Sequence, residues 1–260
     1  MEYNNLISKF DNYTQPYLES TSDRIVDALH YKISHSKGVA NIASNISIFV
    51  FPSERHQLLA KTCGLFHDIA RFEQMKNFNT FVDAKSFDHG EKALEIIESQ
   101  KFLTGFDTAE QKAILNAIRQ HNKKTTPTGD DEIELALAKI IRDADKIDTL
   151  NSIADYYESK EAGNKKALEL DLPDIPQVSE KVIQQLQNAQ MVNYEDIATV
   201  DDFKLLKISW VYDVNYAASL AMVLDSHVLK RIYSTIKTKD EKLNMLFGMA
   251  YGYAEVSASL

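Results

Sequence analysis

Apolar residues recur every three or four positions through most of this chain, and little in it would interrupt the helices that such spacing favours. Ile25, Ala28 and Leu29 open one stretch, and Val39, Ile42, Ala43 and Ile46 carry a second. Pro52-Ser53 starts another through Leu58, Leu59, Cys63 and Phe66, with Ser53 placed to cap its N-terminus. Only 8 Gly and 5 Pro occur in 260 residues, too few for a fold of many short strands and tight turns. The pattern predicts an all-α fold.

The same reading continues downstream. Arg71 to Asp88 mixes aromatics with Asn77, Asn79, Thr80, Asp83 and Ser86 and reads as a long loop, a kind of segment that usually serves function. A helix is predicted from near Asp88, carrying Ala93, Leu94, Ile96 and Ile97. Thr108-Ala109-Glu110-Gln111 matches a capping box before Ile114 and Ile118. A long apolar helix should run from Asp131 to about Tyr157, followed by a polar loop over 160–178 that Pro173 and Pro176 break. Helices resume after Val178, around Leu205 to Val223 and around Leu243 to Tyr253. No internal repeat or long linker divides the chain, so residues 1–260 read as a single domain.

Composition removes several classes of function. No apolar run approaches the ~20 residues that span a bilayer; the longest, Ile46 to Phe51, is far shorter. The first residues, Met1-Glu2-Tyr3-Asn4-Asn5, lack the basic and apolar regions of a signal peptide. A single cysteine, Cys63, excludes an internal disulfide and fits a reducing compartment, so a cytoplasmic location is expected. A formal net charge of −9 argues against an extended nucleic-acid surface. It leaves room for a small phosphorylated substrate, because metal ions and a few local cations can dominate a pocket.

The residues that carry chemistry stand out against this background. His67-Asp68 closes an apolar stretch, and neighbours on a helix point about 100° apart. Both can therefore serve one centre only at a helix end. His35, His89 and His121 also fall near predicted helix ends, and Asp145 lies in the long helix. Imidazoles and carboxylates from five segments suit zinc, manganese, iron or nickel, whereas the lack of Cys pairs argues against a structural zinc finger.

The order His35, then His67-Asp68, then Asp145 resembles the HD-domain superfamily of metal-dependent phosphohydrolases. Arg142-Asp143-Ala144-Asp145-Lys146-Ile147 is similar to that family's last ligand motif, and His89 and His121 match the intervening histidines of members that hold two metals. The resemblance covers about residues 25–157. It implies an HD-domain helical bundle as the metal-site core, with additional C-terminal helices over about 178–257. It further implies that His35, His67, Asp68 and Asp145 bind one divalent ion. Asp68 would bridge to a second held by His89 and His121. The ions would be drawn from Mn, Fe, Ni, Zn, Co or Mg.

The implied reaction is cleavage of a phosphate ester or anhydride of a small molecule, a nucleotide above all, by a water that the metal activates. Asp68 would orient that water or take its proton, and Arg71, one turn after His67, would meet the phosphoryl oxygens. Lys146 and Lys123 are further candidates for substrate binding, although Lys146 should point about 100° away from Asp145. Asp148, three residues after Asp145, is placed to support a ligand or to sit on the surface. Two alternatives share the motif: an HD-fold diiron oxygenase, and a nucleotide-sensing module without turnover.

Overall fold

The apolar spacing is realised as helices, and no β-strand forms among the described residues of the computed structural model, namely 2–19, 23–125, 131–159 and 172–260. The fold is all-α, and the chain divides into two compact units, Met1–Asp148 and Thr149–Leu260.

In the first unit, α1 (Tyr3–Leu18) packs on α2 (Asp23–Val50) and α3 (Glu54–Phe66). The sequence reading does not contain α1, yet Leu6, Phe10 and Thr14 recur at helical spacing and are buried. Phe10 meets Phe66 and Phe72 edge-on, with ring centroids 6.1 and 6.0 Å apart. Full burial of such a ring contributes roughly 1.5–3 kcal/mol. α2 runs unbroken where two stretches are predicted. In its polar middle, Lys32 to Gly38, Lys32 and His35 are directed at other polar groups, so apolar spacing fades there while the helix continues.

α2 and α3 touch backbone to backbone. A Cβ on Gly64 would lie 2.6 Å from the Ala40 Cα, so only glycine permits this crossing. Ser53 caps α3 as expected, its hydroxyl accepting from the Arg55 amide.

The predicted loop after Arg71 is corrected: α4 occupies Arg71–Phe78, and only then does the chain leave helix for a short 3₁₀ turn at Asp83–Lys85. Glu73, Gln74, Met75 and Lys76 are strong helix formers, and Asn79 ends the helix at φ 52, the left-handed conformation asparagine tolerates. α5 (His89–Ser99) begins where predicted, capped by Asp88. α6 (Thr108–Gln120) is capped one residue earlier than expected. Asp107 and Glu110 form the reciprocal box, because an aspartate is at least as good a cap as the threonine beside it.

α7 (Glu132–Glu158) follows the predicted span, and its last turns belong to the second unit. The expected loop over 160–178 lies outside the described residues as far as 171; from 172 to 179 the chain is non-helical. The second unit continues with α8 (Glu180–Gln187), α9 (Val200–Ser209), α10 (Ala217–Asp225), α11 (Val228–Ser234) and α12 (Glu241–Ala258). The stretch predicted around Leu205 to Val223 is thus two helices, parted by a 3₁₀ turn at Trp210–Asp213 and extended residues. α9 is buried along its whole length, and its two acids are spent on backbone ends. Asp202 accepts from the Ser179 and Ala198 amides, and Asp201 from those of Lys237 and Thr238. Among the described residues no helix is long and apolar enough to cross a membrane.

Candidate metal centre

Helix ends bring the chosen side chains together in the first unit. His67 follows the last residue of α3, and residues 67–70 form the turn into α4. His89 opens α5, and His121 closes α6. His35 and Asp145 come from within α2 and α7. The close α2–α3 crossing sets the His35 and His67 rings 5.2 Å apart, and the His67 and His121 rings lie at 5.1 Å. His35, His67, Asp68, His89 and His121 are all buried, while a third of the Asp145 side chain stays open.

Asp68 stands between two imidazole pairs. Its Oδ2 lies 3.5 Å from His67 Nε2 and 3.7 Å from His35 Nε2. Its Oδ1 lies 3.5 Å from His89 Nε2 and 4.0 Å from His121 Nε2. Asp145 Oδ1 joins the first pair, 3.1 Å from His35 and 3.9 Å from His67. Atoms bound to one ion at about 2.0–2.2 Å stand roughly 3–3.5 Å apart, so these separations approach a coordination sphere.

Each imidazole is turned by a bond on its other nitrogen. His67 donates from Nδ1 to the Gly64 carbonyl, 2.8 Å, and His121 to the Ile118 carbonyl, 2.6 Å. His89 Nδ1 meets Asp83 Oδ2 at 2.6 Å, and His35 Nδ1 meets Asp148 Oδ2 at 2.7 Å. Asp148 reaches His35 across Gly38, where a Cβ would lie 2.0 Å from its carboxylate oxygen. Nε2 is the nitrogen that each ring turns inward.

The electrostatics fit cation binding. Burial lowers the pKa of both His67 and His121, and the neighbouring histidines push His121 further, to about 3. Both rings therefore stay neutral with a lone pair on Nε2. Burial opposes ionisation of Asp68 and Asp145, yet the cations and imidazoles around them hold both carboxyls well below the usual range. Burial also acts against protonation of His35, but Asp145 and Asp148 outweigh it and raise its pKa to about 9. An ion at His35 Nε2 would take the place of that proton.

Two observations test whether the residues suit a metal. His67 Nε2 is fully buried without a hydrogen-bond partner, a costly arrangement for a nitrogen that a ligand does not satisfy. His89 and His121 also face each other through Nε2 at 3.0 Å, although each already uses Nδ1 elsewhere. Both rings thus turn Nε2 to one point, where an ion would take the place of that contact. With carboxylates completing the set, the donors fit a divalent ion.

The cations divide. Arg71 lies in the centre, with Nε 3.3 Å from Asp68 Oδ1 and Nη2 3.2 Å from His89 Nε2. Its Nη1 is held by Gln74, the Phe81 carbonyl and Asp83. Lys123 is drawn to Asp88 and Glu91, and Lys146 is half-buried beside Asp145 in α7. Of the remaining histidines, His30 and His227 are exposed, and His56 stacks on Phe51.

Several residues of the centre escape sequence reasoning. Lys32 places Nζ 2.6 Å from Asp68 Oδ2. Asp83, Gln74 and Asn122 form the network behind His89 and Arg71. Arg142 donates to the His121 carbonyl and fixes the end of α6. Lys32 precedes His35 by three residues, one turn of the same helix, and that spacing was the available signal.

No curated protein and no solved structure matches the chain. The HD superfamily comprises, in general, metal-dependent phosphohydrolases, and some of its members have other activities. The family model for the HD domain matches residues 33–150, the span that contains all six candidate ligands.

Proposed function

We propose that this protein is a metal-dependent phosphohydrolase that cleaves a phosphate ester or anhydride of a small molecule, with nucleotides the foremost candidates, in the cytoplasm. The observation that carries the reading is Asp68, whose two oxygens face different imidazole pairs. In this reading His35, His67, Asp68 and Asp145 would hold one divalent ion, and Asp68 would share a second with His89 and His121. Such ions lower the pKa of a water and offset charge on phosphoryl oxygens.

The side chains supply the rest. Asp68 stays ionised, since its neighbours hold its carboxyl far below the usual range, so it orients groups rather than storing a proton. Arg71 has Nη1 fixed by three acceptors, while Nη2, now 3.2 Å from His89 Nε2, is the edge that would pass to a phosphoryl oxygen once His89 held an ion. Asp83, through His89 and Arg71 together, keeps that edge in place.

The test is a screen of phosphorylated metabolites with Mn²⁺, Co²⁺, Ni²⁺, Mg²⁺ and Fe²⁺, comparing wild type with Asp68→Ala and Asp68→Asn. Phosphate release by wild type should fall at least roughly a thousandfold in both variants, with helical circular dichroism retained. Equal release from a folded variant would overturn the assignment. Oxygen consumption by an iron-loaded sample without phosphate release would replace it with oxygenase chemistry.

A further inference from the structure

Lys32 is a partly buried cation that the six-ligand scheme does not use. Its Nζ lies 2.6 Å from Asp68 Oδ2, and only 14% of its side chain is exposed. That oxygen is the one facing His35 and His67, the oxygen a first ion would need. Two aromatic faces flank the ammonium: the Tyr31 ring at 5.7 Å, itself stacked on His35, and the Phe81 ring at 5.5 Å. The same Phe81 ring lies 5.9 Å from the Arg71 guanidinium, and the Phe81 carbonyl accepts from Arg71. Lys32 and Arg71 thus flank one ring, each with a bond to a different oxygen of Asp68.

We infer that Lys32 has two successive partners. It competes with the first metal for Asp68 Oδ2, and once that oxygen is ligated it turns its ammonium to the anionic phosphoryl group of the substrate. This rests on the phosphohydrolase reading above and adds to it a residue of opposite effect on the two ligands. A carboxylate oxygen that accepts a short charge-assisted bond is a poorer ligand, and a positive charge beside it repels a dication. The same charge attracts phosphate in a site where water is largely excluded. The flexible lysine stem permits the move, whereas Arg71 is pinned at Nη1.

Opposite signs make the test sharp. Metal-free wild type and Lys32→Met are titrated with Mn²⁺ by calorimetry, and the Mn²⁺-loaded proteins are then titrated with inorganic phosphate. Lys32→Met should bind the first Mn²⁺ roughly tenfold tighter or more, and phosphate roughly tenfold more weakly. Lys32→Arg should return both affinities toward wild type, which loss of packing alone would not explain. A folded Lys32→Met that binds Mn²⁺ no tighter, or phosphate equally well, overturns the inference while leaving the metal reading standing. A wild type that takes up no ion overturns both.

Discussion

The two imidazole pairs that Asp68 joins are alike in their rings and unlike in their surroundings. On one side His35 and His67 have Asp145 beside them and Asp148 behind, so an ion meets carboxylates. On the other, among the described residues, Asp68 is the one carboxylate within 4 Å of Nε2 of His89 and His121, and Arg71 Nη2 stands 3.2 Å from His89. There an incoming dication must contend with a guanidinium pinned at Nη1, whereas the first side has a second carboxylate, Asp145, and its cation, Lys32, sits on a flexible stem that can turn away. The two sides are therefore unequal, and the first should fill before the second.

The largest expected effect separates the two sides by counting ions. After equilibration with Mn²⁺ and removal of free metal, mass spectrometry of the wild type should find two ions per chain. His121→Ala should keep one, and His67→Ala should keep none, because His67 serves the side that fills first. Turnover should fall by at least roughly a thousandfold in each. A His121→Ala protein without metal, or a His67→Ala protein that keeps one ion, would break the proposed order.

A smaller effect should come from the acids behind the rings. Asp148→Asn weakens the orientation of His35, and Asp83→Asn that of His89. Each should cost about 10–100-fold in affinity, as is typical for partners behind a ligand. The losses should fall on different ions: Asp148→Asn on the tighter, Asp83→Asn on the weaker. Calorimetry that shows both variants affecting the same binding step would merge the two sites into one.

These supporting acids also mark where sequence reasoning stops. The ligands were legible because their residue types are unusual at helix ends and their order matches a known pattern. Helix existence was legible from spacing in α3, α5 and α7, but not in α1, whose buried face has only Leu6 and Phe10 as apolar residues, with Thr14 completing it. It failed where polar residues occupy the inward face. The middle of α2 reads as a break because Lys32, His35 and Ser36 point at the centre or into the interior instead of apolar residues. α4 reads as loop because Gln74, fully buried, is bonded to Arg71, Asp83 and Ser86 and not to solvent. Asp83 and Asn122 are single polar residues in polar stretches, and only tertiary structure shows that both reach His89.

The smallest effect is on stability, and it again contrasts the two sides, now through protons. In metal-free protein His121 titrates near 3 and His67 below its ordinary 6.5, burial being the main cause in both. The unfolded chain binds those protons at about 6.5, so below that pH it holds more protons than the native state. Stability should therefore fall as pH drops from about 6.5 toward 3, by on the order of 4 kcal/mol from His121 alone. His35 acts in the opposite sense. Despite burial its pKa is raised to about 9 by Asp145 and Asp148, so its contribution is complete below 6.5 and is lost as pH rises through 9. Urea unfolding in the presence of a chelator should thus give a stability maximum near neutrality, declining on both flanks. Asp148→Asn should flatten the alkaline flank and leave the acid one, since Asp148 touches His35 and neither His67 nor His121 is bonded to it. Saturating Mn²⁺ should remove the alkaline decline in the wild type, because an ion at Nε2 replaces the proton that His35 loses there. An alkaline decline that persists under saturating metal would mean that His35 keeps its proton and is no ligand.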